Sequence, residues 1–235
     1  MTASVLLYHS INDRADLVAG GAALPVARFQ EHMEFLAKSG RALARTEACM
    51  DDRAKGIVVT FDDGDADTFE TALPILEKYQ VPATVFVSSS LLDTVWVDNG
   101  LKRKMMSKSQ LRLLAASPLI EIGSHAHLHQ SMVERPKSDL LADLTLSRQI
   151  LEDVVDRRIR YLAYPHGLHD KTVMDVAKQA GFDAGFGCTD VCGGKFGLPR
   201  IGISSKDSLS RLKVKLLPGY RPTLVMARRI LTRSF

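Results

Sequence analysis

Residues 60–65 read Thr-Phe-Asp-Asp-Gly-Asp and follow the apolar run Gly56-Ile57-Val58-Val59. Asp is depleted from strands, and neighbouring carboxylates repel at close range. A strand ending in Asp62 and Asp63, with Asp65 close behind, therefore needs a reason. A solvated turn with Gly64 at positive φ is one. A cation is the other: it offsets the repulsion, and adjacent carboxylates leave a strand end in different directions, so one can bind the ion while the other stays free as a base. Partners for such an ion lie further along the chain. His125 and His129 are four residues apart, a spacing that on a helical turn puts both imidazoles on the same side. Two His and one carboxylate leave positions open for water and substrate. A lone H-x-x-x-H is more often a pair of surface histidines than a ligand pair. Placed after an apolar run, with a D-D pair at another strand end, it becomes a candidate metal site.

Several elements must cooperate to bring these residues together. Short apolar, β-branched runs alternate with amphipathic stretches, the pattern of βα units and a parallel sheet. Strands are expected at 4–8, 56–61, 83–87, 119–123, 160–164, 183–187 and 200–204. Between them, one helix opens near Pro25 and closes at Gly40, and another over 65–80 must kink or restart at Pro74. Further helical patterns cover 107–117, 137–155 and 170–181. Seven strands with intervening helices predict an incomplete or distorted β/α barrel, with a doubly wound sheet as the weaker alternative. In such barrels the chemistry gathers at the C-terminal strand ends. Four of these ends carry ligand-grade residues: His9, the Asp62-Asp63 pair, the segment from His125 to His129, and Pro165-His166-Gly167.

Composition sets the outer bounds. The 235 residues are 46% hydrophobic and 25% charged, ordinary for a globular chain. No apolar run approaches the roughly 20 residues that span a bilayer, and the N-terminus lacks a secretory pattern, so the chain reads as cytoplasmic. Cys49, Cys188 and Cys192 form no regular framework and read as reduced, structural or incidental thiols. Residues 206–235 hold eight basic residues against one aspartate, a net +7, which leaves residues 1–205 at −3 within the chain's +4. A mildly acidic body argues against nucleic-acid binding. The division is therefore a domain over 1–205 and a basic amphipathic extension over 206–235. That extension suits an anionic membrane surface, packing on its own barrel, or contact with a second subunit.

At these residues the chain resembles a family. TFDDGD, GSHAHLH and YLAYPHG, in this order, look like the first three motifs of the polysaccharide deacetylases, carbohydrate esterase family 4, and ALPILEKYQVPATVFV is also typical. The resemblance covers roughly residues 4–204. It implies a distorted (β/α)7 barrel and a divalent metal, usually Zn2+, serving hydrolysis of N-acetyl or O-acetyl groups on sugars. By position, Asp62 matches the base, and Asp63, His125 and His129 match the metal ligands. Tyr164 falls near the backbone amide that helps hold the oxyanion.

Four departures stand out. Ala126 replaces the usual Ser or Thr, Ala163 stands where many members have an Arg that orients the base, and the fourth motif is not evident. The fifth motif, a hydrophobic-x-Leu-x-His near the C-terminus, is missing there. The same pattern occurs as Val5-Leu6-Leu7-Tyr8-His9 at the front of the chain. First and last strands of a closed barrel are neighbours, so a permuted strand can deliver His9 as the general acid. A subset of exopolysaccharide deacetylases looks permuted in this way and tends to carry LPRI, here Leu198-Pro199-Arg200-Ile201. Arg200 then either supplies the cation missing at Ala163, keeping Asp62 ionised, or is an ordinary strand-start Arg.

The resemblance implies a metal-dependent N-deacetylase of a sugar polymer or lipid-linked oligosaccharide, and membrane contact through the basic tail would suit a cytoplasmic enzyme working at the inner face of the membrane. A deacylase of a small amide or O-acetyl ester is the runner-up, and a non-catalytic glycan-binding relative the third reading. Trp96, the only Trp, lies in a polar excursion after the third strand. It either stacks on a sugar face or packs over the barrel rim. His127, His166 and His169 are expected in supporting rather than ligating roles.

Overall fold

The computed structural model describes residues 3–21, 23–51, 55–188, 194–218 and 220. The β-branched runs form parallel strands: β1 Ser4–Tyr8, β2 Ile57–Phe61, β3 Ala83–Val87, β4 Ile120–Ser124, β5 Tyr161–Ala163 and β6 Ala184–Gly187. The last strand, β7, is split into Leu198–Pro199 and Ile201–Gly202. Its first half pairs with β6 and its second half with β1. The sheet therefore runs β1-β2-β3-β4-β5-β6-β7 and nearly closes on itself, a distorted seven-stranded barrel.

Alternation along each strand makes two cores. Leu6, Tyr8, Val59, Phe61, Val85 and Ile122 face outward against helices, whereas Val5, Val58, Phe86, Tyr161, Ala163 and Phe186 form a second cluster that fills the barrel. The outer helices are α1 Val26–Lys38, α2 Leu73–Tyr79, α3 Lys108–Ala116, α4 Lys137–Val155 and α5 Lys171–Gln179. Local chemistry fixes their ends. Gly40 and Gly181 take positive φ just past α1 and α5. Ser107 and Gln110 make a reciprocal capping box on α3, and the Asp170 carboxylate accepts the Val173 N–H on α5. Pro74 stands at the head of α2, which restarts after a π-helical turn over Thr68–Ala72.

Two features differ from the sequence expectation. The seventh strand begins at Leu198, not Arg200, and Arg200 interrupts it, its side chain fully buried beneath the strand ends. The excursion after β3 is an antiparallel hairpin, Val95–Asp98 with Leu101–Lys104, turned by Asn99 and Gly100 at φ 48 and 79. Within the basic extension, α6 Leu209–Lys215 packs on α1, and Lys215 Nζ donates to the Gly202 carbonyl and the Asp207 carboxylate. The membrane or subunit contact was expected over residues 206–235, of which 221–235 lie outside the described residues, as does Cys192. No described helix is long and apolar enough to cross a membrane.

Candidate metal centre

The end of β2 explains the paired aspartates. Asp62 continues the sheet, its N–H donating to the Tyr8 carbonyl at 3.0 Å. Asp63 then enters the left-handed region at φ 72, which Asp tolerates better than most residues, and Gly64 follows at φ 94. The Gly64 N–H closes back on the Asp62 carbonyl. This reversal sends the two carboxylates apart, and both are buried.

His125 continues β4 in the same way, its N–H donating to the Val87 carbonyl at 2.9 Å. The helical turn expected for the two histidines is not there. Ala126 and His129 are left-handed, at φ 62 and 50, so the segment is a loop. Its anchors are backbone bonds from Ser89 and Ser90 to the Ala126 and His127 carbonyls, and the Asp143 carboxylate, which accepts the His127 N–H. The loop still brings the His125 and His129 rings to 5.0 Å. Asp63 Oδ1 lies 3.4 Å from His125 Nε2 and 3.1 Å from His129 Nε2, and one donor atom from each residue falls within 4.8 Å of the others.

These donors fit a divalent cation. The His125 Nδ1 faces the Ala163 carbonyl at 2.8 Å, so that nitrogen carries the proton and Nε2 is left to bind. Burial disfavours the imidazolium of His125, but the Asp62 and Asp63 carboxylates raise its pKa, so a proton and a cation compete for Nε2. Burial would raise Asp63; the Arg103 guanidinium and hydrogen bonds from both histidines hold it well below the usual carboxylate range.

Asp62 sits beside this cluster, Oδ2 at 3.8 Å from His125 Nε2. Arg200 grips it with two parallel bonds of 2.7 Å, one to each oxygen, and the pair is sealed from solvent. Burial pushes the Asp62 carboxyl up, but Arg200, then His125 and His9, bring it below its ordinary value. A carboxylate has about four lone-pair positions, so the fork to Arg200 leaves others for a proton. His9 follows β1 directly, half-buried, near enough for its charge to act on Asp62.

Tyr164 keeps its own donors within the fold. Its N–H donates to the Phe186 carbonyl at 2.9 Å and its hydroxyl to the Phe196 carbonyl at 2.8 Å, so the sheet and the loop after it consume both donors. The oxyanion amide expected near Tyr164 is therefore not Tyr164's own N–H. The ring stacks on buried His169. His166 lies edge-on to His129 at 5.0 Å, and burial, with His129 and His125, pushes it down to about 4. His127 Nδ1 bonds Ser89 Oγ at 2.8 Å.

The sequence reading missed Arg103 and gave Asp65 no role. Arg103 Nη2 reaches Asp63 Oδ2 at 2.6 Å, and its Nε reaches Asp65 Oδ1 at 2.8 Å. Burial, with Asp67 and Asp63, pushes Asp65 up to about 6 against the pull of Arg103. Arg103 pairs across the hairpin with Trp96, whose ring lies 4.8 Å from the guanidinium and 4.6 Å from the His129 ring. Trp96 thus touches the site itself. The available signal was Asn99-Gly100, the strongest short hairpin signature, which sets Trp96 opposite Arg103.

Comparison with known proteins agrees on the family. The family model for polysaccharide deacetylase matches residues 50–185. The poly-beta-1,6-N-acetyl-D-glucosamine N-deacetylase of Staphylococcus aureus (strain MRSA252) is 30% identical over 162 residues, 64% of this chain and 55% of that protein. The chain thus spans about half the length of that relative. The putative polysaccharide deacetylase YxkH of Bacillus subtilis (strain 168) is 25% identical over 211 residues, 85% of this chain and 71% of that one. Among solved structures, the Streptococcus pyogenes deacetylase PplD in complex with acetate superposes with a TM-score of 0.79 at 19% identity, covering 93% of this chain and 99% of that one. At that identity the likeness concerns the fold.

Proposed function

This chain belongs to the polysaccharide deacetylase family, and from that premise we propose that it is a metal-dependent hydrolase removing N-acetyl groups from an acetylated amino-sugar glycan. The observation that carries the reading is the Asp63, His125 and His129 donor cluster, with the Arg200-gripped carboxylate of Asp62 3.8 Å from one of its imidazoles. A divalent cation, Zn2+ by the donor types, would supply a Lewis acid for the acetyl carbonyl and lower the pKa of a water.

The chain's own residues would do the rest. Asp63 Oδ1, His125 Nε2 and His129 Nε2 hold the ion. Asp62, kept ionised and aimed by Arg200, accepts a proton from the attacking water. His9, on the neighbouring strand end, donates a proton to the departing amine nitrogen, without which an amide's leaving group is too basic to go. Trp96, beside His129, offers an aromatic wall for a sugar ring.

The test is release of free amine from N-acetylglucosamine oligomers, the monomer, small acetamides and an O-acetyl ester, with Asp62→Asn as control. Oligomers should exceed the monomer in kcat/KM by about tenfold or more, because remote sugar contacts contribute to transition-state binding. Asp62→Asn should be nearly inactive. Equal turnover of small acetamides would move the reading to a small-molecule deacylase, and binding without turnover to a glycan-binding protein.

A further inference from the structure

The hairpin after β3 does more than cover the site. Its base is tied to the Asp63 turn by backbone: Met105 bridges Asp65, and the Met106 N–H donates to the Gly64 carbonyl at 2.9 Å. From this fixed frame Arg103, only 4% exposed, reaches two carboxylates at once. Its Nη2 takes Asp63 Oδ2, the oxygen turned away from the imidazoles, while Oδ1 faces both histidines. Its Nε and Nη2 together occupy both oxygens of Asp65. Trp96 covers the guanidinium and restricts where it can swing.

The consequence concerns which oxygens a cation can use. With Arg103 in place, the accessible donors are two imidazole nitrogens and one carboxylate oxygen. That set suits Zn2+ and its neighbours late in the first transition row. Without Arg103, one further carboxylate oxygen, Asp63 Oδ2, is free on the residue that already faces both imidazoles. Such a set suits harder, oxygen-preferring cations of higher coordination number, such as Mn2+. We propose that Arg103 is a positioning residue that sets the metal preference of the centre, by confining Asp63 to one-oxygen coordination. The proposal rests on the Asp63, His125 and His129 metal-site reading.

The test measures affinities of the metal-free protein for Zn2+ alone and Mn2+ alone, by competition with a chelator and by the emission of Trp96, the single Trp. Arg103→Met should lower the ratio of Zn2+ to Mn2+ affinity by about tenfold or more, the size of change typical when a residue that orients a metal ligand is removed. Because that variant buries two unpaired carboxylates, the charge-neutral double variant Arg103→Met with Asp65→Asn is measured beside it. This frees Asp63 Oδ2 without stranding a second charge, and the ratio should fall in the same direction. An unchanged ratio in the folded variants, with His125→Ala unable to bind Zn2+, overturns the role of Arg103 and leaves the metal site standing. Wild-type Zn2+ affinity in His125→Ala overturns the site and the proposal together.

Discussion

Asp62 and Asp63 are chemically identical neighbours whose surroundings separate them. Asp62 is held by Arg200 from inside the barrel, and Asp63 by Arg103 from the hairpin above it. Buried ion pairs of this kind lose about 3–5 kcal/mol when one partner is removed, because a charge is stranded. The sequence pointed to Asp62, Asp63, His125 and His129 because like charges at a strand end and a histidine pair are costly without a purpose. It left Arg103 unseen because its contact depends on a hairpin register, and at Tyr164 a motif gives a position but not the direction of an amide. The proposed acid role of His9 makes a prediction at this scale. His9→Ala should keep its metal and fold but lose about 100-fold or more in turnover of acetamides. An activated ester, whose leaving group needs no proton, should lose much less. Equal losses on both substrates, or wild-type amide turnover, would remove His9 from that role.

The elements were the most legible level. Runs such as Val-Leu-Leu-Tyr and Ala-Thr-Val-Phe-Val have little choice but to be buried strands, and Gly40 and Gly181 end helices as their positive φ requires. The loop holding His125 and His129 was not legible as a loop, since its left-handed turns depend on anchors from Ser89, Ser90 and Asp143 on other elements. Helix packing also carries a titration. His32 on α1 is fully buried, its Nδ1 bonded to the Tyr8 hydroxyl, close to Asp207 ahead of α6. Burial, with Arg28, pushes its pKa from 6.5 down to about 4, against the pull of Asp207. Because the unfolded chain takes up this proton first, stability is full above pH 6.5 and falls as the pH drops towards 4. The contribution lost by pH 5 is about 2 kcal/mol. Denaturant titrations of wild type and His32→Gln between pH 7 and 5 should show the wild type losing more stability by about that amount. Parallel curves would mean His32 is free to charge in the folded state.

At the scale of the whole molecule, barrel closure assembles the site. β7 lies against β1, so Arg200 near one end of the domain and His9 near the other meet around Asp62 on β2. A distorted β/α barrel was readable from strand count and alternation, and its (β/α)7 form from the family resemblance. The charge split of the chain was readable too, but only the part of the extension up to Tyr220 is described, and there α6 packs on α1. The central claim is that one divalent cation at Asp63, His125 and His129 is what makes this barrel a deacetylase. Metal content and amine release from N-acetylglucosamine oligomers, measured on the same preparations of wild type, Asp63→Ala and His125→Ala, address it directly. The account predicts about one equivalent of transition metal in the wild type, and loss of metal and of hydrolysis together in both variants. Full metal occupancy in both variants, or undiminished hydrolysis by metal-free protein, would contradict it.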